Sequence, residues 1–244
     1  MNAIVVIPTR LGSSRLPGKA LKEIAGIPMI VHVWRRGVEA DVGPVIVAAG
    51  DQAIVDAIES IGGRAILTDP SLPSGSDRAA AALQVVDPEA RYDIVICLQG
   101  DLPTIAPAVV RATLEPLARE PACDIATLAT VISSREELEA AQVVKVALAI
   151  EPGATIGRAI YFSRAIIPSG ADKHFHHLGL YTYRRDALKR FVELPLGILE
   201  RAEQLEQLRA LEHGMRIDVR VVDSEPLGVD TVTDLERARM LLAT

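Results

Sequence analysis

Hydrophobic and polar positions in the first half of the chain alternate between two kinds of segment. Short apolar runs have the length of buried strands, and between them apolar residues recur with helical spacing. The predicted strands cover residues 3–8, 44–49, 64–67 and 92–101. The predicted helices start at Pro28, at Asp51 and near Asp77. This alternation is typical of an α/β fold with a Rossmann-like, mostly parallel sheet that has helices on both faces.

The second half of the chain has a different pattern. Strand-like runs at residues 124–132, 143–150 and 176–185 follow one another without long helices between them. They predict a smaller mixed β lobe, at about residues 124–185, inside a single domain that covers residues 1–244. Beyond the lobe we expect one long amphipathic helix from about Leu199 to His213, a strand at 216–222 and a closing helix after Thr231.

Composition and charge narrow the classes of function. Hydrophobic residues make up 49% of the chain, but no apolar run approaches the length that crosses a bilayer. The first residues also lack the basic and small-residue pattern of a secretion signal, so we expect a cytoplasmic protein. Cys97 and Cys123 lack metal-ligand spacing and are expected to be buried, reduced thiols. The net charge of -6 argues against general nucleic-acid binding, so any anion site needs arginines that converge locally.

The segment "RLGSSRLPGK" follows the first strand and contains glycines and basic residues, as phosphate-binding loops do. It does not fit the P-loop motif, because five residues instead of four separate Gly12 from Gly18. Ala20 also stands where that motif needs a magnesium-binding hydroxyl, and Pro17 has no backbone N–H to donate. The loop therefore belongs to another class.

Arg10, Arg15 and Lys19 lie within ten residues of one another, together with Ser13 and Ser14. The guanidinium group matches phosphate oxygens at two points, and the lysine ammonium adds a mobile positive charge. The pattern favours binding of a triphosphate over the end of the sheet. The alternative is an ordinary solvated loop that happens to be basic.

Two aspartates are candidates for a magnesium site. Ligands in such sheets bind beyond the carboxyl ends of the strands, and Asp101, in "QGD", follows the fourth strand. Asp230, in "GVDTVTDL", precedes the last helix. Mg²⁺ prefers one or two carboxylates together with phosphate oxygens. Asp101 could instead serve a turn, and Asp230 could cap the last helix, although Thr231 could do so in its place.

Other polar residues carry weaker signals. Arg78, in "SGSDR", lies in a first helical turn that Ser76 and Asp77 would cap, so the alternative for this stretch is a purely structural role. No Gly-x-Ser-x-Gly elbow and no dinucleotide-binding fingerprint is present in the sequence. The residues taken alone indicate a site for a nucleoside triphosphate or a similar polyanion, with magnesium.

Seven motifs, in order along nearly the whole chain, closely resemble the cytidylyltransferases that activate 3-deoxy-D-manno-octulosonate (Kdo). The motifs are "RLGSSRLPGK", "SGSDR", "QGD", "YFSRA", "HHLGLYTYRR", "LEQLRALEHG" and "GVDTVTDL". The first motif is shared with other sugar nucleotidyltransferases, including those for sialic acids. The motifs "HLGLYTYR" and "LEQLR" are the ones that point to Kdo.

The resemblance implies transfer of CMP from CTP to the anomeric hydroxyl of Kdo, with release of pyrophosphate, for lipopolysaccharide biosynthesis. The hydroxyl would attack the α-phosphorus directly, with Mg²⁺ as cofactor. The family is dimeric, which implies a homodimer here with residues 124–185 at the interface, and neither nucleic acid nor membrane insertion is expected. Alternatives are a cytidylyltransferase for 8-amino-Kdo or a sialic acid, and a non-catalytic nucleotide-binding protein.

The resemblance also implies roles for individual residues. The catalytic residues would be Arg10, Arg15, Lys19, Asp101 and Asp230, of which Asp101 and Asp230 would hold the metal. The nucleotide-binding residues would be Arg10, Ser13, Arg15, Lys19, Ser74, Arg78 and Gln99. The sugar acid would contact Gln99, Arg164, His177, Tyr181, Glu206 and Gln207, with Arg164 on its carboxylate.

The sequence departs from the family pattern in three places. Leu102 replaces a glutamate that often follows the Gly-Asp pair, which leaves the expected metal site less acidic. The run before "VVKV" lacks the Asn-Pro-Asn that many members have, and the span between Arg164 and His177 is short. The last two departures could alter the choice of sugar.

Overall fold

The structure is a computed structural model that describes residues 1–13, 15–223 and 226–243. Up to residue 112 the elements are, in chain order, β1 (Ala3–Thr9), a short 3-10 helix (Lys19–Leu21), β2 (Glu23–Ile24), β3 (Ile27–Pro28), α1 (Met29–Glu39), β4 (Val45–Ala49), α2 (Gln52–Glu59), β5 (Arg64–Leu67), α3 (Gly75–Val86), β6 (Ile94–Cys97) and α4 (Pro107–Ala112). The chain continues with α5 (Glu115–Arg119), β7 (Ile125–Val131), α6 (Arg135–Glu139), β8 (Lys145–Ala149), β9 (Ile156–Ser163), β10 (Phe175–Arg184), α7 (Arg185–Glu193), α8 (Ile198–Glu203), α9 (Gln207–Glu212), β11 (Ile217–Val221) and α10 (Val232–Leu242).

Backbone contacts group the chain into two compact units. The first unit consists of Met1–Arg111 with Pro226–Thr244, and the second unit is Ala112–Glu225. The expectation of one domain with a lobe at about 124–185 stays a prediction.

In the first unit, strands β5, β4, β1 and β6 lie side by side in that order and are all parallel. Val5 of β1 pairs with Val45 of β4 and with Ile96 of β6, which makes β1 a central strand. Val5, Val6 and Ile7 are fully buried. Near-continuous apolar strands of this kind are expected where a parallel sheet is covered on both faces, so the predicted parallel arrangement is confirmed.

In the second unit, the strands run in the order β10, β7, β11, β9 and β8, with mixed directions. Strand β8 also pairs with β10 through Lys145 and His176, so the five strands close on themselves. Leu128, Phe162 and Tyr183 are among the side chains buried in this unit. The mixed β structure predicted for this part of the chain is therefore present.

Three predictions about individual elements are wrong. The long helix expected from Leu199 to His213 is two short helices, because Gln204 adopts a left-handed conformation (φ 56°) between α8 and α9. Apolar periodicity continues across the break, so the pattern did not reveal it. The strand expected at 92–101 covers only Ile94–Cys97. Helix α3 starts at Gly75 and is capped by Ser74, not by Ser76 or Asp77.

Two general expectations can also be compared with the fold. Cys97 and Cys123 are buried and are not joined by a disulfide, as predicted, and burial raises the pKa of Cys123 to about 12. Among the helices of the described residues, none combines the length and the apolar composition needed to cross a membrane.

Candidate active site

The loop after β1 is held in place by backbone hydrogen bonds and one carboxylate. Gly18 adopts a left-handed conformation (φ 68°), and its N–H donates to Leu11 O at 3.0 Å. Leu11 N–H in turn donates to Asp51 Oδ2 at 2.8 Å, and Ser13 Oγ accepts from Leu16 N–H at 3.4 Å. The loop is therefore fixed at the carboxyl end of β1. Ser14 lies outside the described residues.

A hydrophobic cluster explains how the two ends of the first unit meet. Leu16 from the loop packs with Met29 of α1, Val229 and Leu235. Leu16 and Val229 are each at most 3% exposed, so water is excluded between the two distant chain segments. Because Val229 precedes Asp230, burial of its side chain fixes the backbone of this aspartate beside the loop.

Lys19 lies at the centre of a charged cluster. Its Nζ donates to Asp101 Oδ2 at 2.7 Å, to Asp230 Oδ1 at 3.0 Å and to the backbone oxygen of Val229 at 3.1 Å. Burial alone lowers the pKa of Lys19, but the charge of Asp101 and the hydrogen bonds to both carboxylates raise it above its ordinary value. Lys19 is therefore a permanent cation, and the two distant aspartates meet at its ammonium group.

Asp230 is available for this cluster because it does not cap α10. Thr231 Oγ1 accepts from Asp234 N–H at 3.2 Å, and Asp234 accepts from Thr231 N–H at 2.8 Å, which forms a capping box. Asp230 Oδ2 instead accepts from Arg15 Nη2 at 2.8 Å. Of the two roles left open by the sequence, the helix cap belongs to Thr231.

A cavity of about 330 Å³ opens beside the cluster. The predicted residues that line it are Arg10, Ser13, Arg15, Lys19, Ser74, Arg78, Gln99 and Asp101. Glycines and prolines supply much of the remaining wall, so backbone lies close to the cavity at several points. A cavity with this many basic donors is suited to a polyanion.

Arg78 is buried and supports the cavity wall. Its Nη1 donates to Thr68 Oγ1 at 2.6 Å and to Asp69 O at 3.1 Å, which ties α3 to the loop after β5. Burial lowers the pKa of Arg78, and the positive charge of Arg10 lowers it further. Two guanidinium groups that repel each other at one cavity favour an anion as their shared ligand.

Gly50 permits this approach of the two arginines. A Cβ atom at Gly50 would lie 3.0 Å from Arg10 Cβ and 3.0 Å from Arg78 Nη1. Its backbone N–H donates to Thr9 O at 2.9 Å, which holds the start of the next loop against β1. A side chain at position 50 would therefore push the arginines from their places.

The two aspartates of the cluster fit a magnesium ion. Their carboxylate oxygens converge on one point, at present the Lys19 ammonium, and the carbonyl oxygen of Val229 faces the same point. Hard oxygen donors of this number, beside a cavity lined by arginine and lysine side chains, match the preference of Mg²⁺ for one or two carboxylates plus phosphate. Asp101 and Asp230 are therefore suitable ligands.

In the second unit, an irregularity in β10 shapes the region of His177 and Tyr181. Leu178 pairs with Leu128 and Thr182 with Ala126, so β10 uses two more residues than β7 over this stretch. The Thr127 hydroxyl lies 2.9 Å from Leu180 O and 3.0 Å from His177 Nε2, within the bulge. Bulges of this kind redirect side chains and are common beside active sites.

His177 and Tyr181 lie side by side on β10, with ring centroids 5.5 Å apart. Phe162 contacts the other side of the His177 ring, at a centroid distance of 4.8 Å. Burial lowers the pKa of His177 to about 3, with a smaller effect of His176. His177 is therefore neutral at physiological pH. Burial, followed by the charge of Glu206, raises the pKa of Tyr181, which keeps its hydroxyl as a hydrogen-bond donor.

Arg164 follows β9 and is held by backbone oxygens. Its Nε donates to Glu203 O at 3.0 Å, Nη1 to Ala141 O at 3.3 Å and Nη2 to Gln204 O at 3.5 Å. Its own backbone N–H donates to Glu203 Oε2 at 3.0 Å. A guanidinium has five N–H donors, so two remain for a ligand once these three bonds are made. That number suits a carboxylate.

Gln207 begins α9 and is 5% exposed. Its Nε2 has no hydrogen-bond partner among the described residues. A buried amide donor left without a partner is costly and rare in folded proteins. This donor supports a role for Gln207 in ligand binding. Glu206, which precedes it, forms the N-terminal boundary of the same helix.

The structure adds residues that sequence reasoning did not select. Asp51 orders the loop after β1, Thr68 holds Arg78, Thr127 lies in the bulge, and Glu203 holds Arg164. Asp51 and Thr68 do fall directly after predicted strands, where ligands are expected, so their positions were an available signal. Thr127 and Glu203 act through tertiary contacts that a single sequence does not display.

Comparison with known proteins agrees with the motifs. Residues 4–217 match the model of the cytidylyltransferase family. The chain is 55% identical over 242 residues to the 3-deoxy-manno-octulosonate cytidylyltransferase of Paramagnetospirillum magneticum, covering 99% of this chain and 98% of that protein. It is 59% identical over 241 residues to the protein of the same name from Rhodospirillum centenum, covering 99% of this chain and 93% of that protein.

A solved structure has the same fold. CMP:2-keto-3-deoxy-manno-octonic acid synthetase, complexed with CTP, superposes with a TM-score of 0.90 at 39% identity. The match covers 100% of this chain and 99% of that chain. With the loop, the cavity and the paired aspartates in place, these similarities lead to one conclusion: the chain belongs to the cytidylyltransferase family, among the 3-deoxy-manno-octulosonate cytidylyltransferases.

Proposed function

We propose that this enzyme transfers CMP from CTP to the anomeric hydroxyl of Kdo, giving CMP-Kdo and pyrophosphate for lipopolysaccharide biosynthesis. The observation that carries the proposal is identity of 55–59%, over nearly the full length, to proteins named for this reaction. Relatives of that name do not favour the alternatives of 8-amino-Kdo or a sialic acid. Arg15, Lys19 and Asp101 line one cavity, and Asp230 forms ion pairs with Arg15 and Lys19, which supports the same reaction.

The basic residues of the cavity would bind the triphosphate. The Arg10 guanidinium has no hydrogen-bond partner among the described residues, so its N–H groups are available for phosphate oxygens. Arg15 and Lys19 are paired with carboxylates, and they would shift part of their hydrogen bonding to the nucleotide. Charge on the departing pyrophosphate grows as the bond to the α-phosphorus breaks, and positive groups fixed beside it lower the barrier.

Asp101 and Asp230 would hold Mg²⁺. When bound there, the ion would supply charge neutralisation on the phosphate oxygens and would lower the pKa of the sugar hydroxyl. Lys19 would then move its ammonium from the carboxylates towards the phosphates. Leu102, next to Asp101, contributes no further charge, so these two carboxylates would be the acidic ligands from the chain.

The second unit would bind the sugar acid. Arg164 would pair with the Kdo carboxylate through its two remaining N–H donors, which gives a bidentate contact. The sugar hydroxyls would form hydrogen bonds with the side chains of neutral His177, Tyr181, Glu206 and Gln207, which offer both donors and acceptors. In the first unit, Ser74, Arg78 and Gln99 would meet the nucleotide, and Gln99 would also reach the sugar acid.

We also propose that the enzyme is a homodimer formed through residues 124–185 and acts in the cytoplasm. Val131 and Ile160, within that range, are 44% and 56% exposed, which supports an apolar interface there. Light scattering coupled to size-exclusion chromatography tests the dimer. A mass near the 26.2 kDa of one chain at micromolar concentration would contradict it.

One coupled assay tests the function. Purified enzyme is mixed with CTP and Kdo, with and without Mg²⁺, and both pyrophosphate and CMP-Kdo are measured. We expect both products in equal amounts, only with the metal. Parallel reactions contain 8-amino-Kdo or a sialic acid in place of Kdo. Faster turnover of either one than of Kdo would refute the assigned substrate, and pyrophosphate without a sugar acid would refute the transfer.

A further inference from the structure

Lys145 is a lysine of the second unit that neither the motifs nor the proposed mechanism uses. It begins β8, is 0% exposed, and lies where β8 pairs with β10. A lysine is almost never fully buried unless its ammonium group is compensated. Its burial therefore requires an explanation from the groups around it.

The ammonium group of Lys145 is saturated by backbone oxygens. Its Nζ donates to Ala140 O at 2.8 Å, to Val143 O at 2.9 Å and to Arg164 O at 3.0 Å. Three acceptors match the three N–H donors of an ammonium group, so Lys145 retains no donor for a substrate. Burial lowers the pKa of Lys145, and the charge of Glu137 opposes that effect.

These three acceptors belong to two chain segments that both determine where Arg164 lies. The oxygen of Arg164 itself is one acceptor, so the bond fixes the backbone from which the guanidinium extends. Ala140 and Val143 bracket Ala141, whose oxygen accepts from Arg164 Nη1 at 3.3 Å. One ammonium group thus holds both the base of the arginine side chain and an acceptor at its tip.

We propose that Lys145 is a positioning residue for Arg164, and that it acts on binding of the sugar-acid carboxylate without touching the substrate. The inference rests on the proposed function, in which Arg164 pairs with that carboxylate. A bidentate contact depends on the angle and position of the guanidinium, so loosening either supporting segment weakens it. The contacts from Glu203 would remain, so the loss is partial.

The test is a double-mutant cycle. Lys145→Met removes the three donors with little change of volume, and Arg164→Ala removes the group through which Lys145 acts. KM for Kdo, KM for CTP and kcat are measured for the wild type, both single variants and the double variant. We expect Lys145→Met to raise KM for Kdo about tenfold, while KM for CTP changes less than about twofold. In the Arg164→Ala background the same change should alter KM for Kdo less than about twofold.

Two further variants separate positioning from general stability. Lys173→Met makes the same substitution at an exposed lysine of the second unit and should leave all three constants unchanged. Lys145→Gln keeps two donors and should give a KM for Kdo between those of the wild type and Lys145→Met. If Lys145→Met does not fold, the cycle is completed with Lys145→Gln, and thermal unfolding is recorded for every variant.

The possible outcomes are distinct. Wild-type enzyme that makes no CMP-Kdo would refute the proposed function itself. If the wild type is active, additive effects of the Lys145 and Arg164 changes on KM for Kdo would overturn the positioning role. An equal rise of KM for CTP and KM for Kdo would overturn it as well, because a purely structural lysine predicts a loss without substrate preference.

Discussion

The two units of the chain each contain a lysine whose ammonium group donates three hydrogen bonds, and the acceptors of the two groups differ. In the first unit, Lys19 is bound by the carboxylates of Asp101 and Asp230 and lines a cavity. In the second unit, Lys145 is bound by three backbone oxygens and is fully enclosed. The carboxylates raise the pKa of Lys19 despite its burial, whereas burial lowers the pKa of Lys145.

Because of this difference, the ammonium group of Lys19 can exchange its hydrogen-bond partners, whereas that of Lys145 cannot. The carboxylates beside Lys19 are 30% and 40% exposed, so water or another cation can replace the lysine without burying an unpaired charge. The ammonium group of Lys145 is instead fully buried among three backbone oxygens, and its loss would remove one hydrogen-bond donor from each of them. A lysine that faces carboxylates at a cavity therefore indicates a site that can bind a ligand, and a buried lysine held by backbone carbonyl groups indicates a structural support.

The largest effect is expected from Asp101→Ala, which removes half of the carboxylate pair. Turnover should fall roughly a thousandfold or more, because a metal ligand supplies several kcal/mol of transition-state stabilisation. The far-ultraviolet circular dichroism should be unchanged, since the side chain is 30% exposed and supports no core packing. Asp56→Ala, at an exposed position of α2, is the control and should retain full activity. Near-normal turnover of Asp101→Ala would show that Asp101 does not hold the metal.

The comparison of the two lysines is tested directly by Lys19→Met and Lys145→Met. We expect Lys19→Met to lower kcat/KM about 100-fold with little loss of stability, since its partners reach water. Lys145→Met should lower the free energy of unfolding by about 2–4 kcal/mol, because three backbone carbonyl groups lose a donor, while kcat stays near that of the wild type.

Urea unfolding and steady-state kinetics on the same preparations distinguish these outcomes. The two measurements should rank the variants in opposite orders. Equal losses of activity and of stability in the two variants would contradict this comparison. Lys19 could then not be described as a group that exchanges its partners, nor Lys145 as a group with fixed partners.

Much of the first unit could be predicted because its signals are local. The strand Ala3–Thr9, the loop residues Arg10, Arg15 and Lys19, and the strand end before Asp101 all follow from short-range patterns. The meeting of Asp101 and Asp230 could only be proposed, because it depends on burial of Leu16 and Val229 in one cluster. The spacing of residues along the sequence does not indicate a contact between segments as far apart as Leu16 and Val229.

Less of the second unit could be predicted, since its geometry depends on backbone irregularities. The sequence did not indicate that Gln204 would break the helix, that β10 would bulge beside Thr127, or that Ile156–Ser163 would be a strand. Candidate sugar contacts such as His177 came from the family resemblance. Lys145 gave no signal at all, because it lies in an apolar run that reads as an ordinary strand.

A smaller effect is expected on acid stability, from His177 of the second unit. Its folded-state pKa of about 3 lies below the ordinary value of 6.5, so the unfolded chain takes up a proton first as pH falls. The contribution to stability is therefore complete above pH 6.5 and declines between pH 6.5 and 3. Urea unfolding of the wild type should lose about 1.5 kcal/mol more than His177→Gln between roughly pH 6.5 and 5.

The control for this measurement is His213→Gln, at an exposed position, which should follow the wild-type curve. Identical pH dependence for His177→Gln and the wild type would mean that the pKa of His177 is the same in the folded and the unfolded chain. In that case burial would not disfavour the protonated ring, and the description of His177 as an enclosed, neutral group of the sugar site would be wrong. No comparable acid transition is expected from Lys19, since its raised pKa places any loss of stability above pH 10.5.

The smallest effect is expected from Gly50→Ala, which tests how closely the arginines of the first unit are placed. The new methyl group would lie 3.0 Å from Arg10 Cβ and from Arg78 Nη1, so both side chains must shift slightly. We expect KM for CTP to rise roughly three- to tenfold and stability to fall by about 1 kcal/mol, with KM for Kdo nearly unchanged. Gly228→Ala, where the nearest atom lies 3.9 Å away, should behave like the wild type. Unchanged CTP kinetics in Gly50→Ala would mean that CTP binding requires no fixed spacing between Arg10 and Arg78. The two arginines would then adapt to the ligand, as the partners of Lys19 can, and would not be held rigidly as Lys145 is.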